Sequence, residues 1–272
     1  MTKLPQIIYG TAWKENRTAG LVKTAVKAGF LGLDTANQKR HYREDFAGEA
    51  LLELTREGFK REELFLQSKY TYQGGQDHRL PYDPHSGFGK QVRDSFNSTL
   101  KNLHTDYLDS FLLHGPMYGE GLAPADWEVW TEMSKIRKEG AAKMIGASNV
   151  SANQLRELCA KTQMKPEIVQ NRCFAVRGWD KDVREFCLAN KIIYQGFSLL
   201  TANPHVVGSG EVNEIAERLQ VTPAEIVLRF AAHIGILPLT GTTNAEHMKQ
   251  DLAIFRFELS NKDIEAIYSI SA

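Results

Sequence analysis

The sequence contains three cysteines, and none of them forms a C-x-x-C pair. Cys159, Cys173 and Cys187 therefore indicate neither a zinc site nor a disulfide framework, and we interpret them as reduced thiols of a cytoplasmic protein. No apolar run approaches the roughly 20 residues that span a bilayer. The first residues, MTKLPQIIYG, also lack the apolar segment of a signal peptide. We therefore expect no membrane partner.

An excess of charge of one sign is also absent. Lys plus Arg and Asp plus Glu both number 33, which gives a formal net charge of zero. Because a protein that binds a polyanion usually carries a basic excess, we expect no nucleic-acid partner. No two histidines have the spacing of metal ligands on a helix or a loop, so we predict no metal site.

What the sequence does contain is a repeat of short apolar runs and amphipathic stretches. The runs are QIIYG, LGLDTA, LFLQSKY, YLDSFLLH, AAKMIGASN, EIVQNRCF, KIIYQGFSLL and GILPLTG. Residues 18–28 have helical spacing of apolar residues, and capping boxes begin at Ser151 and Thr222. An open doubly wound sheet is the alternative, but its G-x-G-x-x-G turn is missing after the first run. We predict an α/β protein whose residues 1–272 form a single (β/α)8 TIM barrel domain.

Four of these runs end in a polar residue that could take part in chemistry. These residues are Asp34, Lys69, His114 and Asn149. The carboxyl ends of the strands of a parallel barrel meet on one face, where barrel enzymes place their active sites. The sequence therefore predicts that the four side chains face one cleft.

A lysine at the end of an apolar strand needs a counter-ion, and Asp34 on the preceding strand can supply it. We expect this pair to lower the pKa of Tyr42, on the following loop, from about 10 towards neutrality. His114 could then orient a substrate oxygen while Tyr42 gives or takes a proton. Each residue also has a structural reading: a buried ion pair, a turn cap, a core histidine or an exposed loop tyrosine.

The chain resembles the aldo-keto reductases over nearly its whole length. The resemblance depends on Asp34-Thr35-Ala36, on Tyr42 before AGEAL at 47–51, on Lys69, and on DYLD at 106–109 before His114. It implies that the catalytic residues are Asp34, Tyr42, Lys69 and His114. It also implies a nicotinamide cofactor bound by Gly10, Thr11, Ala12, Ser148, Asn149, Gln170, Phe197, Ser198, Leu199, Gly241, Thr242, Thr243, His247, Gln250 and Asp251.

The chain departs from the family pattern in three ways. Tyr42 follows Asp34 by eight residues, where the family has five. His247 stands where members that prefer NADP carry an arginine, so the cofactor is NADPH, which the family slightly favours, or NADH. We also expect the long carboxyl-terminal loop that often closes the pocket to be missing, because the sequence ends soon after its last predicted helix. We therefore expect an open site, for which Trp13, Trp127, Trp179 and Tyr118 are candidate wall residues, with ordinary packing as the alternative for each. We expect loops 71–89, 115–125 and 200–211 to set specificity.

The sequence thus predicts an NAD(P)-dependent oxidoreductase that reduces an aldehyde or ketone to an alcohol, or catalyses the reverse reaction. Its partner would be a small carbonyl or alcohol substrate, and the protein would be a monomer or a small homo-oligomer. Two alternatives stay open: a cofactor-binding regulatory or sensor subunit on the same fold, and a lyase that forms a Schiff base on Lys69.

Overall fold

The computed structural model describes residues 4–270 of the chain, and its centre is a closed barrel of eight parallel strands. Each strand pairs with the next along the chain, and the last pairs with the first. This confirms the predicted (β/α)8 barrel. The strands are β1 Ile8–Gly10, β2 Gly32–Asp34, β3 Phe65–Tyr70, β4 Ser110–Leu113, β5 Ile145–Ser148, β6 Ile168–Arg172, β7 Ile193–Phe197 and β8 Leu237–Thr240.

Helices surround the barrel and connect the strands. They are α1 Thr18–Ala28, α2 Glu44–Arg56, α3 Phe88–Asn102, α4 Pro124–Lys138, α5 Ala152–Lys161, α6 Lys181–Ala189, α7 Pro204–Val207, α8 Gly210–Leu219, α9 Pro223–His233, α10 Ala245–Ala253 and α11 Asn261–Ser269. Two of them, α7 and α8, lie between β7 and α9, where the sequence analysis identified no helix. The apolar residues of α8 at Val212, Ile215 and Ala216 are buried, so helical spacing in this segment was the available signal.

Local sequence explains where several elements begin. Ser151 and Thr222 each accept a hydrogen bond from the backbone N–H three residues later, as the capping boxes predicted. At Gly146 in β5, an added Cβ would lie 2.1 Å from the carbonyl oxygen of Ile168 on β6. Only glycine allows these two strands to approach so closely.

The barrel interior is arranged in layers, because alternate residues of a strand point to the same side. Toward the amino ends of the strands, Phe65 and Ile168 belong to an apolar cluster. Two residues further along the same strands stand Gln67 and Gln170, which are buried and polar. The interior therefore changes from apolar to polar toward the carboxyl ends of the strands.

Candidate active site

A cleft of about 850 Å³ opens at the carboxyl ends of the strands. Asp34, Tyr42 and His114 line it, and the fourth predicted catalytic residue, Lys69, lies fully buried beneath it. Most of the residues predicted to bind cofactor also line the cleft: Gly10, Ala12, Ser148, Asn149, Gln170, Phe197, Ser198, Leu199, Gly241, Thr242, His247, Gln250 and Asp251.

Two residues predicted to bind cofactor lie outside the cleft lining. The Thr11 hydroxyl donates to the carbonyl oxygen of Asp34 at 2.9 Å, so this buried residue ties β1 to β2. Thr243 is exposed at the start of the segment before α10. For both residues, a contact with cofactor stays a prediction.

Lys69 and Asp34 form a buried ion pair, as predicted. The ammonium Nζ lies 2.6 and 2.7 Å from the two carboxylate oxygens and 2.9 Å from the carbonyl oxygen of Thr35. These three bonds use all three N–H donors of the ammonium. Burial lowers the pKa of Lys69, and the adjacent Asp34 carboxylate acts in the opposite direction.

Tyr42 lies beside this pair despite the longer spacing from Asp34. Its ring centroid is 5.3 Å from Nζ of Lys69 and 6.0 Å from the ring centroid of His114. Among the described residues, no hydrogen bond joins its hydroxyl to Lys69. Burial, followed by the negative charge of Asp34, raises the pKa of Tyr42 above its ordinary value. The expected lowering of this pKa is therefore wrong, because desolvation and the carboxylate both favour the neutral phenol.

His114 follows β4 and points its ring toward the cleft. Its Nδ1 lies 2.6 Å from the Thr71 hydroxyl, with donor and acceptor roles that depend on the tautomer. Burial lowers the pKa of His114 to about 3, and the positive charge of Lys69 contributes to this shift. The imidazole is therefore neutral at physiological pH. If Nδ1 accepts the Thr71 proton, the Nε2–H is left as a donor for a ligand.

Ser148, Asn149 and Gln170 form a polar group at the ends of β5 and β6. The Asn149 amide nitrogen donates to the carbonyl oxygen of His114 at 2.8 Å and to the Ser148 hydroxyl at 3.1 Å. The Gln170 amide nitrogen donates to Asp34 and to Gln195. This leaves two amide oxygens as acceptors and the Ser148 O–H as a donor, which is the complement of a carboxamide group.

The other end of the cleft lies beside β8 and α10. The buried Asp251 carboxylate accepts a 2.6 Å hydrogen bond from Thr240, and burial raises its pKa to about 6. His247 is exposed on the cleft wall. Asn244 caps α10 by accepting bonds from the N–H groups of Glu246 and His247. Part of the anion-binding capacity of this helix start is therefore already used by the protein itself.

The rim of the cleft carries one of the four predicted wall residues. Trp13 is 67% exposed and stacks on His41, with ring centroids 3.8 Å apart. Among the described residues, the other three candidates, Trp127, Trp179 and Tyr118, lie outside the cleft lining and are not its walls. Trp179 is buried against Phe230 in the core between barrel and helices, and its size favours such burial.

Several residues of the cleft and of the interior below it were not predicted from the sequence. Lys14, Gln38, His41 and Arg172 line the cleft. Gln67 and Gln195 lie in the barrel interior below it and contact Asp34 or its partners. The available signal for the two glutamines was position: each stands two residues before a predicted site residue, Lys69 or Phe197, and therefore faces the same side of its strand.

The described residues hold no group of three or more His, Cys, Asp or Glu side chains arranged to bind a metal ion. Within residues 4–270, no helix has both the length and the apolar character needed to cross a membrane.

Comparison with known proteins extends over almost the whole chain. A model of the aldo/keto reductase family matches residues 6–203 and 205–272. A (1S)-1,7-diacetoxy-luvungin A aldo-keto reductase from Citrus sinensis is 30% identical over 98% of this chain and 86% of its own length. Glyoxal reductase from Bacillus subtilis (strain 168) is 27% identical over 94% of this chain and 84% of its own length. The solved structure of aldose reductase from Schistosoma japonicum superimposes with a TM-score of 0.84 at 25% identity, and the match covers 99% of this chain and 89% of that one.

Proposed function

The chain belongs to the aldo/keto reductase family, and we propose that it uses NADPH or NADH to reduce an aldehyde or ketone to an alcohol, or catalyses the reverse reaction. Family and fold support an oxidoreductase that acts on carbonyls. One observation carries the finer proposal: Tyr42 and His114 face one cleft directly above the buried pair of Lys69 and Asp34.

Tyr42 is the proposed proton donor. Reduction of a carbonyl requires a hydride at carbon and a proton at oxygen, and a bound nicotinamide supplies the hydride. The raised pKa of Tyr42 keeps its hydroxyl protonated, which is the form that a proton donor needs in the direction of reduction. In the reverse direction the same group must first lose its proton, so oxidation of an alcohol is favoured by alkaline conditions.

His114 is the proposed orienting residue. Because its pKa is about 3, it stays neutral and can donate a hydrogen bond without repelling the Lys69 ammonium. Such a bond to the carbonyl oxygen stabilises the negative charge that develops there as the hydride arrives.

Lys69 and Asp34 set the electrostatic environment of the phenol. When Tyr42 gives up its proton, the phenolate lies next to the buried ammonium, whose attraction is strong where water is excluded. The same geometry weakens the lyase alternative, since all three donors of Lys69 are engaged and a charged amine is a poor nucleophile.

The residues of the cleft fit a nicotinamide dinucleotide. The donor and acceptors of Ser148, Asn149 and Gln170 complement its carboxamide, and Phe197 offers an aromatic face on the same wall. Of the two dinucleotides, NADPH is slightly favoured by the family. His247 would contact the 2′-phosphate that distinguishes NADPH, although an arginine would bind it more firmly.

Replacing Tyr42 by phenylalanine tests the assignment of the proton donor. We expect Tyr42→Phe to lower turnover with a panel of aldehydes and ketones by about a hundredfold or more, the range for a general acid. Its affinity for NADPH and NADH should change little, as measured by fluorescence titration. The control is Tyr70→Phe, which removes a buried hydroxyl that bonds to Gln91 instead. Turnover of Tyr42→Phe within about tenfold of wild type would refute the assignment.

A further inference from the structure

Three glutamines form a buried layer in the barrel interior, and the proposed mechanism uses only one of them directly. Gln67 stands on β3, Gln170 on β6 and Gln195 on β7, and all three are buried. The register pairs Gln170 with Gln195 and places Gln67 opposite Asp34. Bulky branched side chains usually fill this region of a barrel, so a layer of amides is a departure that needs a reason.

The hydrogen bonds between this layer and Asp34 all run toward the carboxylate. A carboxylate can accept but not donate, so both amides that contact Oδ1 of Asp34 must present their nitrogens to it. Nε2 of Gln67 lies 2.7 Å and Nε2 of Gln170 lies 3.0 Å from that oxygen. The orientation of both amide groups is therefore fixed by the charge of Asp34.

Gln195 completes the network on the side away from Asp34. Its Oε1 accepts the second N–H of Gln67 at 2.8 Å and the second N–H of Gln170 at 2.9 Å. Its own Nε2 returns a bond of 3.0 Å to Oε1 of Gln67. Among the described residues, Oε1 of Gln170 accepts no hydrogen bond, and Gln170 lines the cleft. The amide oxygen of Gln170 is therefore the group left for a ligand.

We propose that Gln195 and Gln67 are positioning residues, which hold the Gln170 amide oxygen toward the cleft and in a fixed place relative to the Asp34–Lys69 pair. If the proposed function holds, these residues keep the carboxamide of a bound nicotinamide aligned with Tyr42 and His114; this consequence rests on the proposed function. If the glutamines only filled the barrel interior, replacing one of them would lower stability but would not selectively weaken binding of the nicotinamide end of a dinucleotide. The positioning role instead predicts an effect confined to the nicotinamide end.

The test compares Gln195→Met, which keeps the side-chain length, with Tyr194→Phe. The control, Tyr194→Phe, removes a partly buried hydrogen bond of 2.7 Å from the Tyr194 hydroxyl to Asp180. Because Tyr194 is adjacent to Gln195 in β7, its side chain lies on the opposite face of the strand. The first measurement needs no dinucleotide: exchange of the Gln170 side-chain N–H protons with water, followed by NMR. We expect exchange at least about tenfold faster in Gln195→Met and unchanged in Tyr194→Phe. Gln67→Met is the second variant, should Gln195→Met fail to fold.

The second measurement compares affinity for NADPH and NADH with affinity for ADP-ribose and its 2′-phosphate, which lack the nicotinamide. Gln195→Met should weaken dinucleotide binding by about fivefold to tenfold, the effect of one neutral hydrogen bond, and leave the ADP-ribose ligands unaffected. Wild-type exchange at Gln170 in the variant, or equal weakening of both ligand classes, would overturn the positioning role. If the wild-type protein binds neither dinucleotide, the proposed function fails, and the exchange measurement still decides the role of Gln195.

Discussion

Removing the ammonium of Lys69 should destabilise the protein strongly, because it leaves the Asp34 carboxylate buried without a counter-ion. Lys69 is fully buried and Asp34 is 3% exposed. Breaking a buried ion pair from one side costs about 3–5 kcal/mol. Asp34 keeps the N–H donors of Gln67 and Gln170, which compensate part of the loss. We therefore expect Lys69→Met to lower the free energy of unfolding by about 3 kcal/mol, at the lower end of that range.

The double variant Asp34→Asn/Lys69→Met separates stability from chemistry. It removes both charges, and neutral replacements of a buried pair are often tolerated, so at least half of the lost stability should return. Turnover should not return, since the proposed role of the pair is electrostatic. Urea unfolding at neutral pH gives the first quantity and a carbonyl-reduction assay the second. A loss below about 1 kcal/mol in Lys69→Met, or a double variant no more stable than the single one, would refute this account.

Two further predictions concern Glu44 and His247. Burial raises the pKa of Glu44 from its ordinary value of 4.5 to about 7, so the folded state holds this proton more tightly and stability falls as pH rises between these values. Between pH 4.5 and 7, the free energy of unfolding measured with urea should fall by about 3 kcal/mol less in Glu44→Gln than in wild type. If the free energies of unfolding of the two proteins depend on pH in the same way, the prediction is contradicted. His247→Arg should raise the preference for NADPH over NADH by about tenfold in binding titrations, because a guanidinium can donate two parallel hydrogen bonds to a phosphate. His205→Arg adds the same charge outside the cleft lining, and an equal change there would count against the role of His247.

The barrel and most of the site could be predicted because both depend on local patterns. A run such as LFLQSKY reveals a buried strand by its length and composition, and its last residues mark the carboxyl end. Since parallel strands in a barrel share one orientation, Asp34, Lys69 and His114 had to converge. The eight-residue spacing to Tyr42 did not matter, because a loop can lengthen without moving its ends.

The electrostatic state of the site could not be predicted in the same way. The pKa of Tyr42 depends on how much water the surrounding elements exclude, and those elements are distant in sequence. The same holds for Trp179, whose type suits a pocket wall as well as a core. Sequence position alone does not determine whether such a side chain is buried in the core or lines the cleft.

The sequence by itself therefore determined the alternation of strands and helices and which polar residues end the strands, since periodicity and strand polarity are properties of the chain. Only the tertiary structure decided that burial raises the pKa of Tyr42 and that the amides of Gln67 and Gln170 donate to Asp34. Dielectric environment and hydrogen-bond direction arise from groups brought together across the barrel, and folding alone creates those neighbours.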